Sequence, residues 1–243
     1  MPTSAYVADS RSPRYAILFA VPLFLAYEGL AVALSRPGVT EIRNGADVIL
    51  KSVFYWLGGA DGIYAFELLL VGAGLWLVLR DWRRHPGPLR AVVFAWMALE
   101  SVVLAVVVGV AVRGVTAVVL HYLPLSVPNG LNVPMQLMVS LGAGIYEELL
   151  FRVIVVGSLA ALGTRLLRLS RGWAGTMACI VGALLFSAFH YIGPFGDPLR
   201  LSTFLFRFFA GVVFSILYLL RGFGITAWTH ALYDVFVTLG QAL

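Results

Sequence analysis

A single cysteine, Cys179, in 243 residues excludes an internal disulfide and a cysteine-based metal cage. It lies in an apolar run, which gives it the role of a small buried hydrophobe. Lysine is equally scarce, with Lys51 the only one among 17 basic residues. Charged residues of both signs make up only 12% of the chain, too few for a solvated globular surface. There is no internal repeat, low-complexity tract or soluble domain. The net charge of +5 would suit a nucleic-acid partner, but the arginines sit in short loops between apolar runs. That placement marks topogenic signals, and no nucleic-acid partner is expected.

What the chain has in abundance is hydrocarbon. Hydrophobic residues make up 60% of it and the mean hydropathy is +0.92, the composition of an all-α polytopic membrane protein. About seven transmembrane helices are expected, near 15–34, 63–79, 91–112, 135–162, 174–193, 201–220 and 223–242. The first follows Arg11 and Arg14. Ala31-Val32-Ala33 resembles a signal-peptidase site, but the apolar run is longer than a signal core, so an uncleaved anchor is the preferred reading. Residues 44–58 mix Asp47 and Lys51 with aliphatic and aromatic residues and fit an amphipathic helix along the interface. Arg80, Arg83, Arg84 and Arg90 fill one loop and Arg165, Arg168 and Arg171 another, so both are expected in the cytoplasm. With the N-terminus inside, Arg221 is cytoplasmic, and the 113–131 and 194–200 loops and the C-terminus are outside. Pro124, Pro128, Asn129, Gly130 and Asn132 make the longer outer loop turn-rich. Arginine dominance fits a bacterial inner membrane.

Against this background, Glu147, Glu148 and Arg152 fall within an expected span, where ionisable side chains are costly and mark function by default. Adjacent helical residues point about 100° apart, so the two glutamates should have different roles. Glu148 and Arg152, four positions apart, share a face and form an ion pair. Glu147 is left to face a hydrated pocket. The competing reading is a buried structural ion network. His190 and His230 also fall in apolar spans, and Asp234 lies one turn after His230. His85 and His121 are read as loop or interface residues. Glu28, Glu67 and Glu100 are read as structural contacts or cavity lining. Tyr146, Phe151, Phe186, Phe189 and Tyr191 flank the polar groups, and packing is their default role.

Polar groups from three late spans are most economically gathered into one intramembrane cavity. Two chemistries are then open. In one, Glu147 and His190 activate a water for attack on a peptide carbonyl while His230 and Asp234 stabilise or protonate the tetrahedral species. In the other, Glu147, His190 and His230 hold a hydrolytic zinc ion. No His-Glu-x-x-His pair is present to decide between them, and both predict hydrolysis.

Glu147-Glu148-x-x-x-Arg152, Phe186-x-x-x-His190 and His230-x-x-x-Asp234 resemble, in order, the three motifs of the CPBP family of intramembrane endopeptidases (CAAX proteases and bacteriocin-processing enzymes, also called Abi). The stretch from Arg207 to Tyr218 resembles the family's approach to its third motif. The resemblance covers about residues 131–240 and divides the chain into N-terminal membrane helices with an interfacial segment (1–130) and a catalytic helical core (131–243). It implies that Glu147 activates the water, with His190 as partner. It also implies that His230 and residue 234 form the oxyanion side and that Glu148 with Arg152 braces the site. The third motif often ends in Asn, whereas this chain has Asp234. An ionised Asp accepts but does not donate a hydrogen bond. Asp234 must therefore be protonated, orient His230, or help bind a metal. A metal-free glutamate mechanism is preferred, with zinc as the alternative. The expected partners are the bilayer and a membrane-embedded, lipidated or C-terminally tagged protein substrate.

Two rivals stand beside a protease. A proton-coupled transporter also places Glu, His and Asp in mid-membrane cavities, but it calls for duplicated halves, and no duplication is visible. A non-catalytic scaffold or immunity protein would have no need of an intact Glu147, His190 and His230 set. One tension remains. Counting ~1.5 Å per residue from the cytoplasmic loops places His230 roughly 10 Å shallower than Glu147 and His190.

Overall fold

The computed structural model describes residues 3–35, 43–120, 132–193 and 196–242, and the regular elements among them are all helical. In chain order they are α1 (Thr3–Ser10), α2 (Pro13–Leu34), α3 (Gly45–Arg84), α4 (Ala91–Leu120), α5 (Val133–Gly142), a π-helical segment (Ala143–Val156), α6 (Gly157–Arg165), α7 (Arg171–Phe189), α8 (Leu201–Arg221) and α9 (Phe223–Ala242). Because α5, the π segment and α6 run on without a gap, seven long helical stretches follow the short α1. Among the described residues, α2, α3, α4, α7 and α8 are the five that are long and apolar enough to cross a membrane. The chain is an all-α polytopic membrane protein. His121 and the turn residues Pro124, Pro128, Asn129 and Gly130 lie outside the described residues.

Local sequence explains where the helices begin and break. Pro13 opens α2, where its missing N–H costs nothing. Asn44 caps α3 by accepting the Ala46 N–H at 2.9 Å. α3 is broken at Gly58 and Gly59, and the φ of +60° at Gly59 favours glycine. Beyond the break the chain folds back on itself. The Phe54 and Phe66 rings lie 5.2 Å apart, and Lys51 Nζ is 3.4 Å from Glu67 Oε1. A straight helix would separate these residue pairs by about 18 and 24 Å. Residues 60–84 are therefore the crossing-length part, and 45–57 form a separate short helix. That helix turns its polar residues inward. Asp47 is fully buried and bonded to Lys51, whereas Trp56 and Leu57 are 88% and 80% exposed. An outward face of this kind suits lipid and not water.

α9 sits at the centre, packed by α2, α4, α5, α8 and the π segment. One core cluster joins Leu23 and Tyr27 of α2 to Met138, Ile145, Tyr146, Ala227 and Ala231. Another joins Val108 and Val112 of α4 to Ala210, Phe214 and Leu217 of α8. The outer faces of α3 and α4 leave Leu68, Val110 and many other apolar side chains exposed, as a bilayer solvent requires.

The expected depth mismatch of His230 is corrected by the position of the turn before α9. Arg221 is bonded to Glu100 at 2.6 and 2.8 Å, and Glu100 lies nine residues into α4, about 14 Å along it. Gly222, with φ +80° and ψ 179°, makes the tight reversal beside that point of α4. α1 roofs it, with Tyr6 bonded to Glu100 and Ser10 to Arg221.

Candidate active site

The two glutamates diverge as their adjacency requires. Glu147 faces the N-terminal helices, and its Oε1 accepts the side-chain N–H of Asn44 at 2.9 Å. Glu148 is fully buried and faces α9, where its Oε1 is 2.6 Å from His230 Nδ1. Its second oxygen lies 3.3 Å from Arg152 Nε, the expected pair one turn on. The pair is ionic and does not meet hydrogen-bond geometry, since none of the three Arg152 nitrogens finds a hydrogen-bond partner among the described residues. Instead the guanidinium lies over Phe186 at 4.4 Å and near Phe214 at 5.6 Å. Two aromatic faces thus help hold a cation that is wholly removed from solvent.

The π-helical geometry of Ala143–Val156 matters to this arrangement. Its i→i+5 bonding gives a wider turn than the α-helix, and such segments gather at functional sites. Nothing in the α-helical periodicity of the sequence announces it. The segment packs closely on α9 through Gly144, where any Cβ would strike the Ala227 carbonyl. This approach brings Glu148 within bonding distance of His230.

His190 ends α7 as its C-cap, and its Nδ1 lies 2.8 Å from the Phe186 carbonyl. A carbonyl only accepts, so Nδ1 carries the proton and Nε2 presents a lone pair. The ring meets Phe186 and Phe189 edge-on at 4.9 and 5.6 Å. Phe186 also contacts Phe151 at 5.3 Å and His230 at 6.3 Å, so it joins all three motifs.

His230 stacks on Phe214 at 4.4 Å and stands between two carboxylates. Sequence spacing had joined it to Asp234, but that contact, from Nε2 to Oδ2, is 3.6 Å and too long for a hydrogen bond. Glu148 holds the ring instead. Asp234 is partly exposed, its side chain 31% accessible.

Other polar groups take structural partners. Glu28 accepts from Tyr146 at 2.8 Å and from Arg43 at 2.6 Å, and Glu67 pairs with Lys51. His85 is an exposed loop residue beside Asp81, Tyr191 stacks on Phe204, and Cys179 is buried. Sequence reasoning missed Asn44, whose only signal was a helix-capping residue at the head of a segment read as interfacial.

The residues fit zinc poorly. Glu148 occupies His230 Nδ1 and Asp234 lies 3.6 Å from Nε2, so His230 has no ring nitrogen clear of a carboxylate. Among the described residues no group of three His, Cys, Asp or Glu side chains is placed to hold a metal ion.

No curated protein and no solved structure matches the chain. Residues 129–236 match the family model described as type II CAAX prenyl endopeptidase Rce1-like, and this stretch contains every member of the Glu147, Glu148, Arg152, His190, His230 and Asp234 group. The match supports the resemblance to the CPBP family of CAAX proteases read from the motifs, and it covers this helical core alone.

Proposed function

We propose that the protein is an intramembrane endopeptidase that hydrolyses a peptide bond near the C-terminus of a membrane-anchored, lipid-modified or C-terminally tagged protein, using a water activated by Glu147. The observation that carries this reading is a buried carboxylate, Glu147, held by Asn44 and lying within the stretch that matches the CAAX prenyl endopeptidase family model. With Nδ1 of His190 committed to Phe186, Nε2 is available to accept a proton or to hold the water.

In the proposed reaction, Glu147 takes a proton as the water oxygen adds to the scissile carbonyl carbon. The carbonyl oxygen becomes an oxyanion beside His230, whose orientation is set by Glu148 and Phe214. Collapse breaks the carbon–nitrogen bond, and the proton held at Glu147 or His190 passes to the leaving amine. Glu148 and Arg152 hold the frame. The helical core from residue 131 supplies the reactive groups, and the helices of 1–130 close the site from the other side. The arginine-rich loops 80–90 and 165–171 lie in the cytoplasm of a bacterial plasma membrane.

The test is a prenylated peptide with a free CAAX C-terminus, presented in liposomes to the purified protein and followed by mass spectrometry. The wild type should release a shortened prenylated product, and Glu147→Ala and His190→Ala should not, although both insert and fold. Processing retained in Glu147→Ala would contradict the proposal.

A further inference from the structure

Asn44 lies outside the stretch that matches the family model, yet it is the hydrogen-bond partner of Glu147. Resting on the reading of Glu147 as the water-activating carboxylate, we infer that Asn44 is a positioning residue that fixes the orientation of the Glu147 carboxylate from the N-terminal half of the chain.

The argument begins with an amide that has no freedom to turn. Asn44 Oδ1 accepts the Ala46 N–H at 2.9 Å, the capping bond of α3. An amide presents one acceptor and one donor group, so committing the oxygen to the cap aims the nitrogen at Glu147 Oε1, 2.9 Å away. The backbone is held as well, since the Asn44 N–H donates to the Tyr27 hydroxyl at 3.2 Å. That hydroxyl donates in turn to Asp47 Oδ2 at 2.8 Å, and Lys51 pairs with the other Asp47 oxygen at 3.0 Å. Asn44, Asp47 and Glu147 are all buried. The approach of the helical core to this corner is made at Gly142, where a Cβ would meet the Tyr27 ring at 2.5 Å and Asn44 Cβ at 2.8 Å. With Oε1 held by Asn44, Oε2 is left to receive the proton from water. A carboxylate free to rotate would present either oxygen in a range of directions, and catalysis loses heavily from misplacement of about 1 Å.

The capping and positioning roles separate cleanly by substitution. Asn44→Ser keeps an efficient cap for α3 but removes the amide donor that reaches Glu147. Asn44→Asp also keeps the cap and sets a second carboxyl group against Glu147. In the liposome assay with the prenylated CAAX peptide, both variants should lower kcat by about 10- to 100-fold, the effect of a misplaced catalytic group. KM should stay within about a factor of two of the wild-type value, and Asn44→Ser should remain inserted and unfold cooperatively, whereas Asn44→Asp should also lose stability because it buries a second carboxyl group. A merely structural Asn44 would leave Asn44→Ser with wild-type kcat, which overturns the inference. The second readout does not depend on activity. The infrared difference spectrum of wild type minus Glu147→Gln isolates the Glu147 carboxyl bands, and Asn44→Ser should shift them. Unshifted bands overturn the positioning role even if the peptide is cleaved. A wild type that cleaves nothing while the bands shift refutes the protease reading and leaves the contact intact.

Discussion

Arg152 is wholly buried, and its charge is balanced by Glu148 and two aromatic faces. Truncating one member of such a pair strands the other charge, which costs about 3–5 kcal/mol. Arg152→Ala should therefore lower the thermal midpoint sharply in detergent, and joint replacement with Glu148→Gln should recover part of the loss. A midpoint close to wild type in the single variant would show that the pair contributes little. Asp234 poses a different question, because it makes no hydrogen bond to His230 and Glu148 already orients that ring. Asp234→Asn should keep kcat or raise it, since an amide can donate to an oxyanion where an ionised carboxylate cannot. A fall of about 100-fold, the size expected for a lost proton-transfer group, would make Asp234 an acid or base in its own right. At this scale the sequence was informative about residue types and poor at pairing them. Expensive ions in apolar runs identified Glu147, Glu148, Arg152, His190 and His230. The Glu148 to His230 bond, which spans 82 positions, leaves no trace in spacing and emerges only when the helices pack.

Among the elements, the helices themselves were legible because each apolar run is bounded by arginines, glycines or prolines. The π-helical stretch was not, since no spacing or residue propensity in the sequence marks its widened turn, and the close approach of Gly144 to α9 appears only in the packed fold. Gly144→Ala should cost about 1–3 kcal/mol by overpacking, with cleavage falling as Glu148 moves away from His230. Thermal unfolding and turnover of the same preparation check both effects, and a wild-type profile would contradict the close packing. The fold-back of α3 was also hidden. Residues 44–58 announced a helix of mixed polarity, but the direction of its polar face was fixed by Asp47 and Lys51 bonding to one another and to residues of α2 and the far half of α3. This inward turn brings the cap residue Asn44 to the site.

For the molecule as a whole, the depth of each helix was the hardest property to read. Counting from loop arginines assumes that the helix ends lie level with one another, and the turn at Arg221 and Gly222 lies beside Glu100, nine residues into α4. The same arginines still supply a testable orientation. In a Cys179→Ala background, a cysteine at Arg168 should react with a membrane-impermeant thiol reagent only from the cytoplasmic side. One at Asp197, beyond the far end of α7, should react only from the outside. Labelling of both from one side would mean that α7 does not cross the bilayer. Asn44 at the head of α3, Glu147, Glu148 and Arg152 of the π segment, His190 at the end of α7 and His230 of α9 form one connected group, and the chemistry proposed for it turns on a single carboxylate. The most direct measurement is the turnover of a prenylated CAAX peptide by folded, liposome-inserted Glu147→Gln, which keeps the volume and the hydrogen-bonding contact of the side chain but not its basicity. Loss of cleavage by about 1,000-fold or more is expected when a general base is removed from a site that has no substitute. Turnover within a few-fold of wild type would show that Glu147 does not activate the water.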